Sequence, residues 1–174
     1  MQLRLDLEHL NPGAYRAMMG LEGHVRKSGL NKTLVELIKI RASQINRCAF
    51  CIDMHTKDAR HMGETEQRLY ALNAWEETPF FTPEERAVLA LTEVVTRIGE
   101  QGVSDEVYEH VSRYFTPEQL TQLLMAIVTI NAWNRIAITT RLVPGSYHVG
   151  AAAELGMELQ GTPIEDSINN GETY

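Results

Sequence analysis

The strongest constraint on the fold is a helix-start signal that occurs twice. Residues 82–85 (TPEE) and 116–119 (TPEQ) each place threonine at the N-cap, proline at the first helical position, and Glu or Gln three residues after the cap. The apolar residues that follow each signal recur at helical spacing, and no segment alternates with the period of a strand. The chain is therefore predicted to be all-α.

Caps and breakers divide the chain into seven to eight helices. The predicted ranges are 12–28, 32–45, 49–62, 65–73, 83–99, 104–113, 117–140 and 146–155. A chain of 174 residues is of ordinary size for one domain, which we place at 1–156. Residues 157–174 have a weaker pattern and are predicted to form a C-terminal arm.

Charge and hydropathy limit the possible partners. A formal net charge of −7 argues against nucleic acid and anionic membrane surfaces as partners. The N-terminus lacks a signal-peptide pattern, and the apolar segment 120–138 contains Asn131, Asn134 and Arg135, which are too polar for a lone bilayer helix. We expect a cytoplasmic protein. The predicted helix 117–140 is apolar nearly all round in its first half, which favours a homo-oligomer.

The two cysteines carry the clearest chemical signal. Cys48 and Cys51 are three residues apart, a spacing that allows a disulfide across one helical turn. His55 follows Cys51 by four residues, so it lies on the same helix face and can take the Cys51 proton. In a cytoplasmic protein such a pair is more often catalytic or metal-binding than a structural disulfide.

Position along the helix predicts a role for each thiol. A helix that begins near Asn46 and Arg47 places Cys48 in its first turn, where the helix dipole favours a thiolate. Cys51, paired with His55, is the predicted attacking thiolate, and Cys48, nearer the surface, is the predicted resolving thiol. The opposite assignment stays open, because the first cysteine attacks in thioredoxin-like motifs.

Two other interpretations of the cysteines are possible. Zinc requires four ligands, and there is no second cysteine pair. Cys48, Cys51 and His55 with either Glu36 or Asp58 would complete a set, but this is the less favoured interpretation. The cysteines could also pack as small apolar residues without chemistry. We predict no metal and no organic cofactor.

The segment 37–59 (LIKIRASQINRCAFCIDMHTKDA) resembles the alkylhydroperoxidase D-like (AhpD-like) branch of the carboxymuconolactone decarboxylase family. The shared motif is a Glu, eleven residues, Cys-x-x-Cys, three residues and a His. The resemblance continues at residues 130–135 (INAWNR). In two places the chain departs from the family pattern: Phe50 replaces a histidine of the best-studied members, and Arg47 replaces a glycine of many relatives.

The resemblance implies an all-helical bundle that assembles into trimers or hexamers. It also implies peroxide reduction through a Cys48–Cys51 disulfide, with Glu36 and His55 as a proton relay and the second cysteine as the attacking one. Glu36 precedes Cys48 by twelve residues, about 18 Å along a continuous helix. Glu36 can therefore reach the site only if the chain turns near Asn46, and we expect a water between Glu36 and the other groups.

The predicted function is therefore a thiol-dependent peroxidase that acts on an organic hydroperoxide and is reset by a thiol reductant or dithiol donor protein. Phe50 and nearby Ile and Met residues weakly favour an organic substrate. The alternatives are a cofactor-free lactone decarboxylase, which needs no thiol pair, and a non-catalytic redox sensor or disulfide-exchange protein.

Overall fold

The computed structural model describes residues 2–149. Within this range the chain forms eight α-helices, one 3-10 helix and no strand, so the all-α prediction is confirmed. The helices are α1 (Leu7–Leu10), α2 (Pro12–Arg26), α3 (Lys32–Asn46), α4 (Ala49–His61), α5 (Glu66–Ala71), a 3-10 helix (Leu72–Glu77), α6 (Pro83–Thr96), α7 (Asp105–Ser112) and α8 (Pro117–Thr140).

The predicted helix starts are confirmed because local side chains determine them. Thr82 and Thr116 each form a complete capping box, with Glu85 and Gln119 respectively. The observed helix ends lie within two residues of the prediction except for α6, which ends at Thr96 instead of residue 99. Helix α1 is not among the predicted helices, the 3-10 helix runs beyond the predicted range 65–73, and residues 146–149 are not helical. The rest of the predicted 146–155 helix and the predicted 157–174 arm lie outside the described residues.

Helix α3 is the centre of the bundle. It packs against α4, α6 and α8, and every residue from Leu34 to Ser43 is buried. This stretch includes three charged side chains, each with an acidic or basic partner on the same or a neighbouring element: Glu36, Lys39 and Arg41. Burial of charge is costly unless it is paired, so α3 needs these partners to occupy the core.

Helix α8 closes one side of the bundle over α2, α3 and α6. By length and composition it could cross a membrane, with a mean hydropathy of 1.3 in its most apolar window. Half of that window is buried inside the fold, as in the core helix of a soluble protein. Its apolar character therefore serves core packing, and its exposed apolar side chains form a separate face: Leu124, Val128 and Ile138.

Candidate active site

The thiol pair lies at the turn between α3 and α4. Arg47 caps α3 in the left-handed conformation, with φ of 59°, and the Cys48 N–H then donates to the Ser43 carbonyl at 2.9 Å. The reversal fixes Cys48 as the N-cap of α4, so the prediction that Cys48 lies within the first turn was wrong by one position. A left-handed residue is best supplied by glycine, which accounts physically for the glycine expected at this place in relatives.

Both thiols are reduced and lie side by side. The two Sγ atoms are 3.0 Å apart, and each cysteine is only 1% exposed. The prediction that Cys48 is nearer the surface was therefore wrong. The reason is tertiary, because side chains from α8 and from the segment after it pack in the same apolar cluster as both cysteines: Ile130, Trp133, Ala137 and Leu142.

Charge is distributed unequally over the pair. The Cys51 thiol, hydrogen-bonded to the Cys48 sulfur, lowers the pKa of Cys48 to about 7, although burial opposes ionisation. The Cys48 side chain forms no regular cap hydrogen bond, but the N–H groups of Phe50 and Cys51 are close enough to lower its pKa further. The same Cys48 contact and burial raise the pKa of Cys51. The contact therefore favours a single negative charge on the thiol pair, with the pKa lowered at Cys48 and raised at Cys51.

The turn also brings Glu36 to His55. The His55 Nδ1 atom is 2.8 Å from the Glu36 Oε2 atom, and both residues are buried. The contact is direct, so the expected water between Glu36 and the relay was wrong at this step. Burial opposes ionisation of Glu36, but the hydrogen bond and charge of His55, with the charge of Lys39, lower the Glu36 pKa overall. The couple is therefore a carboxylate that orients an imidazole.

Among the described residues, the His55 side chain forms no hydrogen bond to either thiol. Among residues 2–149 its only hydrogen bond is the one to Glu36, so the predicted Cys51–His55 contact is not formed in this conformation. Ligand atoms of Glu36, His55 and Asp58 lie within 4.8 Å of one another, and Asp58 accepts a hydrogen bond from the Tyr147 hydroxyl at 2.7 Å. Neither sulfur belongs to this group, so the geometry does not support the zinc set of both thiols and His55.

Asn134, which the sequence analysis noted only as a polar residue of the apolar segment 120–138, lies at the site. Its side chain is fully buried on α8, donates to Ser43 Oγ at 3.0 Å, and accepts from Asn46 Nδ2 at 2.9 Å. The Asn134 amide also favours the ionised form of both cysteines and so lowers the pKa of each, against the larger effects already named. A polar residue in an otherwise apolar helix is the sequence signal that could have revealed it.

Comparison with known proteins places the chain in a family. The model of the carboxymuconolactone decarboxylase family matches residues 12–94. The uncharacterized protein YdfG of Bacillus subtilis is 49% identical over 138 residues, which are 79% of this chain and 94% of the relative. A crystal structure from Agrobacterium tumefaciens, of unknown function and provisionally named for the antioxidant defence protein AhpD, is 40% identical with a TM-score of 0.81. The match covers 84% of this chain and all of that one.

The chain belongs to the AhpD-like branch of the carboxymuconolactone decarboxylase family. The debrominase Bmp8 has the same fold at a TM-score of 0.71, with 18% identity over 79% of this chain and 74% of that one. At that identity the similarity shows the fold alone. Because one fold can carry different reactions, the activity has to be argued from the residues of the site.

Proposed function

We propose that the protein is a thiol-dependent peroxidase in which Cys48 and Cys51 reduce a hydroperoxide and are oxidised to a disulfide. The observation that supports this most directly is the buried pair of reduced sulfurs at 3.0 Å, one of which has a pKa of about 7. A thiol must be ionised to attack a peroxide, and a second thiol within reach traps the product. Both conditions hold at this pair.

The proposed reaction balances without a cofactor. A thiolate attacks the terminal peroxide oxygen, the O–O bond breaks, and the leaving alkoxide takes a proton to become an alcohol. The resulting sulfenic acid condenses with the second thiol to a disulfide and water. A thiol reductant or dithiol donor protein then returns two electrons and two protons by thiol–disulfide exchange.

Glu36 and His55 are the proposed proton relay. Glu36 holds the Nδ1 side of the imidazole, so the opposite ring nitrogen is the one that can exchange a proton with the leaving oxygen. The sequence assigns attack to Cys51, whereas Cys48 is the cysteine with the lowered pKa. Transfer of one proton across the S···S contact moves the negative charge from one sulfur to the other. The attacking sulfur is therefore the one that the peroxide reaches.

The surroundings of the pair support an apolar substrate and an assembled protein. Phe50, Trp133 and Leu142 pack against the thiol cluster, which favours an organic hydroperoxide over hydrogen peroxide. We propose a homo-oligomer because Leu124, Val128 and Ile138 leave an apolar face of α8 exposed. The family resemblance favours a trimer or hexamer. We also propose a cytoplasmic location with neither nucleic acid nor membrane as partner.

The test is a count of free thiols before and after one equivalent of cumene hydroperoxide. We expect the wild type to lose both thiols. Cys51→Ser and Cys48→Ser each keep one thiol, and the variant that still forms a dimedone-trapped sulfenic acid retains the attacking sulfur. Unchanged thiols in the reduced wild type would overturn the peroxidase function.

A cofactor-free lactone decarboxylase is the second candidate. The Glu36–His55 couple favours it, because this acid–base pair is formed without either thiol. Decarboxylation would survive both cysteine substitutions, whereas peroxide reduction would be lost with either. A redox sensor or disulfide-exchange protein would show a reversible disulfide with negligible turnover of peroxide.

A further inference from the structure

Lys39 is a buried cation that the proposed reaction does not use. It is 5% exposed and lies on α3 three residues after Glu36. Its ammonium pairs with Glu22 of α2 and lies 4.0 Å from the Glu36 Oε1 atom. Lysines are rarely buried so completely, because the flexible side chain can usually carry its charge to water.

The titratable groups around Lys39 and the Glu36–His55 couple come from four elements. α2 contributes Glu22, α3 contributes Glu36, α4 contributes His55 and Asp58, and the segment after α8 contributes Tyr147. Glu22 and Glu36 are acidic, and ionisation of the thiol pair adds a further negative charge to the protein interior. Such charges raise one another's energy unless a cation is near.

We propose that Lys39 is a positioning residue of the thiol centre, whose ammonium balances the negative charge that Glu36 and the thiolate bring into the protein interior. The inference rests on the proposed use of the thiol pair. Lys39 acts through Glu36 and through its electric field, and it does not touch the reacting atoms.

The direction of the electrostatic effects agrees with this role. The Lys39 charge lowers the pKa of Cys51, although the Cys48 contact and burial raise it more. It also contributes to the lowered pKa of Glu36, after burial and the hydrogen bond and charge of His55. Burial raises the pKa of Asp58 overall, and the Lys39 charge partly opposes that rise. The ammonium therefore favours the negative form of three groups at one site.

The competing role for Lys39 is purely structural, as an ion pair that ties α3 to α2 through Glu22. The two roles differ in their effect on thiol ionisation. If Lys39 acts electrostatically, Lys39→Met removes a positive charge and disfavours the thiolate, whereas Glu22→Gln removes a negative charge and favours it. If Lys39 is only structural, both variants lose the same ion pair and lower stability without opposite effects on the thiols.

The test follows the ultraviolet absorbance of the thiolate against pH in the reduced full-length protein, with the Cys48→Ser/Cys51→Ser double variant as the blank. We expect Lys39→Met to raise the midpoint by about 0.5 to 1 pH unit and Glu22→Gln to lower it by a smaller amount. Lys39→Arg keeps the charge and should restore the wild-type midpoint. Circular dichroism and thermal melting establish that each variant is folded.

A folded Lys39→Met protein with an unchanged midpoint would overturn the inference. If Lys39→Met does not fold, Glu22→Gln decides: a lowered midpoint supports the role, and an unchanged midpoint overturns it. Since the readout uses no peroxide, it separates this inference from the proposed function. A normal shift together with thiols that resist cumene hydroperoxide would overturn the peroxidase alone.

Discussion

Helices α8 and α4 begin in different ways. At the start of α8, Thr116 accepts from the Gln119 N–H, and the Gln119 side chain accepts from the Thr116 N–H at 2.9 Å. At the start of α4, Cys48 has the same extended backbone but no side-chain cap hydrogen bond. The first α4 N–H groups are therefore left for an anion, which is the state that a reactive thiolate requires. One helix start is built for stability, and the other is open to the chemistry that we propose for the thiol pair.

Replacing the Cys48 sulfur with oxygen should give the largest contrast between the starts of α4 and α8. Because serine is a strong N-cap, Cys48→Ser should keep or raise stability by up to about 1 kcal/mol. The same change should lower cumene hydroperoxide turnover by at least about a hundredfold, since no disulfide can form. Thermal melting and steady-state assays measure both quantities. Turnover at the wild-type rate would show that the uncapped end is not a reaction centre.

The next largest effect is expected for Asn134, the amide of α8 that forms hydrogen bonds with Ser43 and Asn46 near the turn between α3 and α4. Asn134→Leu leaves the Ser43 hydroxyl without its side-chain partner and removes one of the two acceptors of the Asn46 amide, so it should lower the free energy of unfolding by about 2 kcal/mol. It should also raise the thiol pH midpoint, since the amide favours both thiolates. Denaturant unfolding and thiolate absorbance test the two parts. A loss of stability with no change in midpoint would make Asn134 structural only.

The lowered pKa of Cys48, at the start of α4, predicts the direction in which thiolate formation and stability change with pH. Since the contact from Cys51 is the main cause of the lowered Cys48 pKa, the wild-type thiolate should form with a midpoint of about 7. Cys51→Ala should raise that midpoint and reduce the thiolate fraction at pH 7 roughly tenfold. Because the folded-state pKa is lowered, the stability from this group is present above the ordinary thiol pKa and is lost as the pH falls through about 7.

The matched change at the start of α8 removes the N-cap side chain of Thr116. Thr116→Ala removes the capping box and should cost about 1 kcal/mol, or about 2–4 °C in Tm for a chain of this size. The thiol midpoint should not move, because the start of α8 has no contact with the thiol pair. A shift of that midpoint in Thr116→Ala would mean that the two helix ends are coupled.

The smallest effect concerns the turn before α4. Arg47→Gly relieves a left-handed backbone that carries a Cβ atom, and it should stabilise the protein by about 0.5–1 kcal/mol. Peroxide turnover should stay within about twofold of the wild type, because the side chain is exposed and forms no ion pair among the described residues. Destabilisation would show that the Arg47 side chain has a structural role.

Local chemistry made part of the fold and part of the site predictable. The capping boxes at Thr82 and Thr116 are formed by residues three apart, so their geometry depends on little beyond the helix itself. The spacing of Cys48 and Cys51 likewise brings two sulfurs together across one turn. Residues 145–149 are different, because the Gly145 N–H donates to Asp53 and the Tyr147 hydroxyl donates to Asp58, which hold this segment against α4 without a helix.

The sequence by itself determined the all-α class, the main helix starts, the thiol pair, and through family resemblance the presence of Glu36 and His55. These follow from contacts within a few residues or from a recognisable motif. Only the tertiary structure decided that Glu36 touches His55 without a water, that α8 buries Cys48 as deeply as Cys51, and that Asn134 and Lys39 lie at the site. These facts depend on how α2, α3, α4 and α8 pack, and spacing along one helix does not contain that information.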